Sequence, residues 1–395
     1  MQIGGYKFNR VEFAGSLGDL GTLIPFTLAL IIIAELSVTS VLLMIGFFYI
    51  IGGIYYKLPI PVQPLKVVSA IAIANPEKIS LSVISASGIL FGIILLILAF
   101  TGLIDWLSKF FTKPVMRGIQ LGLGFILINK GIGFVLKNEL FIHKSSTGID
   151  FTGVPLNLII GIIGFLIALL LLSNKRFPAA IILLLFGVAA GICFGSLNNI
   201  DTSFGPTRVN IVLPQYTDFF NALILLVIPQ IPLTLGNAVM GTSDTCYTLF
   251  GKGDVTKKAT PRAFASSMGF INIITGFIGA MPMCHGAGGL AAHYRFGART
   301  GGSNIMIGLI FMAIGLFLGK TGISILSSIP NSILGVLLIF AGIELALMIK
   351  DITDKKDLFV AILIAGIGFT TTNMGIAFFS GIITLYLIKW FQVKI

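Results

Sequence analysis

Charge is scarce in this chain. Only 10% of its 395 residues are Asp, Glu, Lys or Arg, against about 25% in a typical soluble domain. Its apolar share of 56% is more than a soluble chain of this length could bury. Cysteine is nearly absent: Cys193, Cys246 and Cys284 lie far apart with no CxxC spacing. That excludes a disulfide framework and a cysteine-built zinc site. Three histidines, with no HExxH and no paired carboxylates, offer neither a metal centre nor an acid–base constellation. An enzyme is therefore not expected, and no cofactor or metal is implied. The net charge of +11 does not imply nucleic acid, because the basic residues are scattered among short loops rather than clustered in a stripe with aromatics. The polar first ten residues carry no cleavable signal pattern, so the first hydrophobic segment is expected to be retained.

What is abundant fits lipid. The chain has 33 Phe and 47 Gly and a mean hydropathy of +1.03, as suits packed helices in a bilayer. The expected fold class is an all-α polytopic membrane protein. Measured against the ~20 residues needed to span a bilayer, the apolar runs give about fourteen crossings, with shorter runs where a helix is broken. They fall near 13 to 34, 38 to 56, 59 to 74, 81 to 103, 115 to 136, 155 to 173, 178 to 196, 217 to 240, 263 to 281, 282 to 297, 302 to 319, 327 to 349, 357 to 371 and 374 to 391. With both termini in the cytoplasm, most cations fall inside. Only Lys78, Lys137, Lys144, Arg208 and Lys320 are left outside, with Lys66 and Lys130 inside crossings. About seven crossings per half would make residues 1–200 and 201–395 inverted copies. Ile24-Pro25 and Ile228-Pro229, each upstream of a broken segment, echo that duplication.

Two polar, proline- and glycine-rich runs interrupt the apolar text: Leu58-Pro59-Ile60-Pro61-Val62-Gln63-Pro64-Leu65-Lys66 and Met281-Pro282-Met283-Cys284-His285-Gly286-Ala287-Gly288-Gly289-Leu290. Non-helical backbone at membrane depth survives only where protein covers it or water reaches it. Paired broken segments in two halves point to a transporter's binding site. A half-helix that begins inside the membrane aims unpaired N–H groups and the positive end of its dipole at the cavity, so two facing starts make an anion site. Candidate donors are Gln63, the helix start at Pro64, Lys66, and the run His285, Gly286, Ala287, Gly288 and Gly289. Gln230, Thr234 and Asn237 share one helical face and could add neutral donors, or bond between helices. Asp19 is the carboxylate of the first crossing. It reads either as the coupling residue for a co-transported proton or as half of an ion pair with Lys66 or Lys130. Glu344 and Lys130 are lesser candidates. His293, Arg295 and Arg299 are expected at the cytoplasmic exit.

These two motifs, continued by Tyr294-Arg295-Phe296-Gly297-Ala298-Arg299-Thr300-Gly301 and preceded by Phe13-Ala14-Gly15-Ser16-Leu17-Gly18-Asp19-Leu20-Gly21-Thr22, resemble the signatures of the molybdate transporter family related to the SulP sulfate permeases. The resemblance covers essentially the whole chain. It implies seven-plus-seven inverted repeats with a core domain at about 13–103 and 217–319 and a gate domain at about 115–196 and 327–391. It also implies uptake of molybdate held between the starts of broken crossings 3 and 10. The chain ends shortly after its last crossing, so no STAS domain is expected, as in the molybdate branch. Sulfate and tungstate are also tetrahedral dianions and stay open as substrates. A channel is the more distant alternative, and a homodimer is an open expectation.

Overall fold

The computed structural model describes residues 2–3, 5–104, 112–141, 150–151, 153–172, 179–194 and 203–391. Its helices are α1 (Arg10–Ser16), α2 (Leu20–Ile33), α3 (Val38–Tyr56), α4 (Lys66–Ala74), α5 (Leu81–Thr101), α6 (Lys113–Val135), α7 (Leu156–Leu171), α8 (Ala179–Phe194), α9 (Tyr216–Phe250), α10 (Pro261–Phe277), α11 (Ala287–Arg295), α12 (Gly302–Phe317), α13 (Gly319–Ser327), α14 (Asn331–Ala346), α15 (Lys355–Thr371) and α16 (Met374–Trp390). Three antiparallel pairs of two-residue strands complete the described fold: β1 (Gln2–Ile3) with β2 (Tyr6–Lys7), β3 (Gln63–Pro64) with β6 (Met283–Cys284), and β4 (Asp150–Phe151) with β5 (Val154–Pro155).

Local chemistry explains the boundaries. Ser37, Ser80, Thr260 and Asp354 each accept a hydrogen bond from a first-turn amide of the helix that follows, and Pro261 stands where its missing N–H costs nothing. Gly102, at φ 74°, ends α5 in the left-handed conformation that glycine adopts without strain. The expected first crossing over 13 to 34 is instead broken, with α1 and α2 bent by 49° at a break that holds Asp19. In α9, Pro229 and Pro232 cannot donate to the helical ladder, and the helix widens to π-turns over Leu223–Val227 and Thr234–Gly241.

Glycines let the long helices cross in contact. A methyl group on Gly131 of α6 would come 2.5 Å from the Gly335 carbonyl oxygen of α14, and one on Gly124 would come 2.6 Å from that of Gly342. Gly92 of α5 meets Gly269 of α10, and Gly46 of α3 meets Gly308 of α12, in the same manner. Large apolar side chains such as Leu170 on α7 and Ile383 on α16 are exposed on the outside, as a lipid-facing surface requires.

Among the described residues five helices, α3, α5, α6, α9 and α14 with its extension to Asp351, are long and apolar enough to cross a membrane, or up to seven spans if the bent pairs α1–α2 and α12–α13 count as one each. Shorter apolar helices include α7, α8 and α16. The chain is a helical multi-pass membrane protein. Lys144 and the boundary at 200/201 lie outside the described residues.

Candidate functional site

Proline lacks an amide hydrogen, so the run from Leu58 to Leu65 cannot be helical and its carbonyls lose their usual partners. The second broken run supplies them. Gln63 lies opposite Cys284 and Pro64 opposite Met283, and the Leu65 amide donates to the Pro282 carbonyl at 3.0 Å. Nδ1 of His285 lies 2.9 Å from the Pro61 carbonyl oxygen, Nδ1 of His293 lies 3.0 Å from that of Pro59, and the Asn304 side-chain amide donates to that of Ile60 at 2.6 Å. A carbonyl only accepts, so both histidines carry the proton on Nδ1. Asn272 braces the other run, donating to the Met283 carbonyl at 2.7 Å and accepting from the Met283 amide at 2.8 Å.

With the two runs clasped, α4 and α11 begin at the wall of a cavity of about 420 Å³. Its polar side is built by Asp19, Thr22, Gln63, Lys66, Gly288 and Gly289. Its apolar lining includes Leu171, Leu183, Leu337 and Phe340 from α7, α8 and α14, and Glu344 of α14 also lines it. Asp19 and Gln63 are both buried, and Nε2 of Gln63 donates to both Asp19 oxygens, at 2.9 and 2.8 Å. The pair fits under the first turn of α11 because side chains are missing there. A Cβ on Gly289 would strike the Asp19 carboxylate, and one on Gly286 would strike Oε1 of Gln63. Gly288 faces open space, with nothing within 4 Å of a Cβ built on it. The amides of Ala287, Gly288 and Gly289 have no carbonyl four residues back within their helix, so the first turn of α11 presents donors beside the cavity.

The structure brings Asp19, Gln63, Lys66, Gly288, Gly289 and Glu344 of the expected residues to this cavity, while Pro64, Gly286 and Ala287 are not among its lining residues. Others turn elsewhere. Gln230 accepts from the Val67 amide at 2.8 Å and donates to Thr234 Oγ1 at 2.9 Å, so both hold the start of α4 rather than line the cavity. Asn237 is not part of the lining either. His285 is enclosed by Phe48, Tyr56 and Phe264, with Ser267 on its Nε2 at 3.0 Å. His293, expected at an exit, is wholly buried. Lys130 donates to the Ala74 carbonyl at the end of α4, at 3.2 Å, instead of pairing with Asp19. Among the described residues Asp19 forms no ion pair, whereas Lys113 and Arg117 both pair with Asp351.

Two polar residues escaped the sequence reading. Thr22 lies three positions after Asp19, hence on the same helical face. Glu12 is buried and accepts from the Arg299 and Thr300 amides at 3.0 and 3.1 Å, tying α1 to the segment after α11.

The sequence model described as "Molybdate transporter of MFS superfamily" matches residues 11–127 and 222–345. Molybdate transporter 2 of Arabidopsis thaliana is 33% identical over 96% of this chain and 87% of its own length. Among solved structures, the transmembrane domain of a cyanobacterium bicarbonate transporter, BicA, superposes with a TM-score of 0.67 at 14% identity, covering 94% of this chain and 98% of that one. The murine Slc26a9 anion transporter in its inward-facing state gives a TM-score of 0.69 at 18% identity, over 100% of this chain and 70% of that one. At those identities the likeness is one of fold. Built on the fold of these anion transporters and matched in sequence across both of its halves, the chain belongs to the molybdate transporter family.

Proposed function

We propose that this protein imports molybdate across the cell membrane by alternating access, with the dianion held at the start of α11. One observation carries the reading: the first turn of α11, open at Gly288, meets Gln63 and Lys66 on the wall of a single cavity. A helix start offers amide donors and positive potential to a compact oxyanion, and Lys66 adds charge. Asp19, Gln63, Lys66, Gly288 and Gly289 form the site. Pro64, Gly286, Ala287 and His285 set its backbone, and Gln230 and Thr234 hold α4 in place.

About fourteen crossings in two inverted repeats, residues 1–200 and 201–395, fit the packing. The second crossing packs on the eleventh (α3 on α12) and the fourth on the ninth (α5 on α10), pairs that a two-fold exchanging the halves would interconvert. The strands β3 and β6, one from each half, meet between them. The cavity lies between a core of about 13–103 and 217–319 and a gate of about 115–196 and 327–391, as a moving site requires. Both termini are assigned to the cytoplasm by the cation distribution.

Co-transport of a proton answers a charge problem. Asp19 and Glu344 share the cavity with one lysine, and a dianion entering a negative-inside cell works against about 2.3 kcal/mol per charge per 100 mV. Protonation of Asp19 relieves both.

Uptake of radiolabelled molybdate into proteoliposomes, competed with sulfate and tungstate, tests the assignment. Saturable uptake resistant to equimolar sulfate is expected. Sulfate competing as well as unlabelled molybdate would replace molybdate with sulfate on the same donors, and non-saturating flux would indicate a channel.

A further inference from the structure

Gln63 is oriented the wrong way round for an anion. Its Nε2 faces the Asp19 carboxylate, while its Oε1, buried beside Gly286, has no hydrogen-bond partner among the described residues. That oxygen lies beside Gly286, the residue from which α11 begins. A buried acceptor left unpaired is unfavourable, and an incoming oxyanion, itself only an acceptor, cannot satisfy it.

From this arrangement we infer that Gln63 is a proton-set reversing donor: protonation of Asp19 turns its amide end for end and completes the oxyanion site. The inference rests on the proposed anion site at α11. In the step, a proton from the water of the cavity adds to one Asp19 oxygen. The two Nε2 contacts to the carboxylate break, and the amide makes a half-turn about its terminal side-chain bond. The new Asp19 O–H donates to Oε1, which ends that oxygen's isolation, and Nε2 takes its place beside Gly286 with its N–H groups free for the oxyanion. No atom is left over, and the proton stays on Asp19 until the anion leaves. A bare carboxylate forbids the turned amide, because Oε1 would then face two anionic oxygens. Proton and anion are thereby linked one to one through one side chain, beyond the simple removal of a charge.

The ionisable groups around Asp19 leave this role to it. Tyr49 on α3 donates to the Val62 carbonyl at 3.4 Å. Cys284 on β6 points its thiol at the Pro64 carbonyl at 3.5 Å, and His293 on α11 is engaged by Pro59. Lys66 on α4 and Glu344 on α14 complete the set, on the cavity wall.

Equilibrium binding of molybdate to purified protein, measured between about pH 5 and pH 8 together with proton uptake in weak buffer, tests the inference. Wild type should take up close to one proton per anion and bind about tenfold more weakly for each pH unit once Asp19 is ionised. Asp19→Asn, whose amide donates to Oε1 without a proton, should bind at the acid-limit affinity at every pH. Gln63→Leu should bind weakly throughout, with proton uptake well below one. A full tenfold slope retained in Gln63→Leu would show that the proton acts through charge alone and overturn the role of Gln63. Wild-type affinity that ignores pH would overturn the linkage while leaving the anion site standing. No molybdate binding at any pH would remove the site and the inference together.

Discussion

The imidazole of His285 meets the carbonyl of Pro61 at 2.9 Å across 224 residues of sequence. The same ring accepts from Ser267 and is enclosed by aromatic side chains. A residue that reads as part of an anion site is in fact a clasp between the two broken segments.

For His285→Ala, the Pro61 carbonyl is left buried and unpaired, at a cost of about 1–3 kcal/mol. The unfolding midpoint in detergent should fall, while the pH dependence of molybdate binding keeps its wild-type shape. A flattened pH profile would return His285 to the proton path.

Neighbouring glycines should separate binding from folding. Gly288→Val adds volume only to the cavity, so the protein should reach the membrane and unfold at the wild-type temperature yet lose molybdate binding. Gly289→Ala meets the Asp19 carboxylate and should destabilise by about 1–3 kcal/mol, the usual range for overpacking. Wild-type affinity in Gly288→Val would move the site away from α11.

Removing the amide in Gln230→Leu strips the Val67 amide of its acceptor and should cost about 1–3 kcal/mol of stability. Thermal unfolding reads this directly. A variant of unchanged stability that loses only affinity would mean that Gln230 contacts the anion after all.

Arg117 grips Asp351 through Nε at 2.9 Å and Nη2 at 2.6 Å, but Asp351 is exposed. Despite that geometry, Arg117→Ala should change stability by no more than about 1 kcal/mol, because water and salt screen such pairs. A drop of several kcal/mol would mark the pair as buried in the working protein.

The broken segments were legible because proline and glycine at membrane depth carry their own physical signature, and Asp19, Gln63, Lys66, Gly288 and Gly289 do converge on one cavity. Side-chain direction was not legible. Hydropathy sets how deep His285 and His293 lie, but not that each turns toward a proline carbonyl more than two hundred residues earlier. In sequence Gln230 reads either as a neutral donor to the anion or as a bond between helices, and the choice stays open because its partner, the Val67 amide, is a backbone group that no side-chain pattern reveals. The break before Leu20 was hidden by the apolar text around it. The apolar lining residues Leu171, Leu183 and Phe340 are of types found all along the chain.

The clasp between the two broken segments also sets an order of events at the ribosome. The carbonyls of Pro59, Ile60 and Pro61 are synthesised long before His293, Asn304 and His285 exist to satisfy them. At elongation rates of about 5–20 residues per second, the 224 residues from Pro61 to His285 take roughly ten to forty-five seconds to make. Throughout that interval these carbonyls lack the partners that hold them in the folded chain. The native extended form of the first broken segment is therefore complete only once the second half supplies those partners.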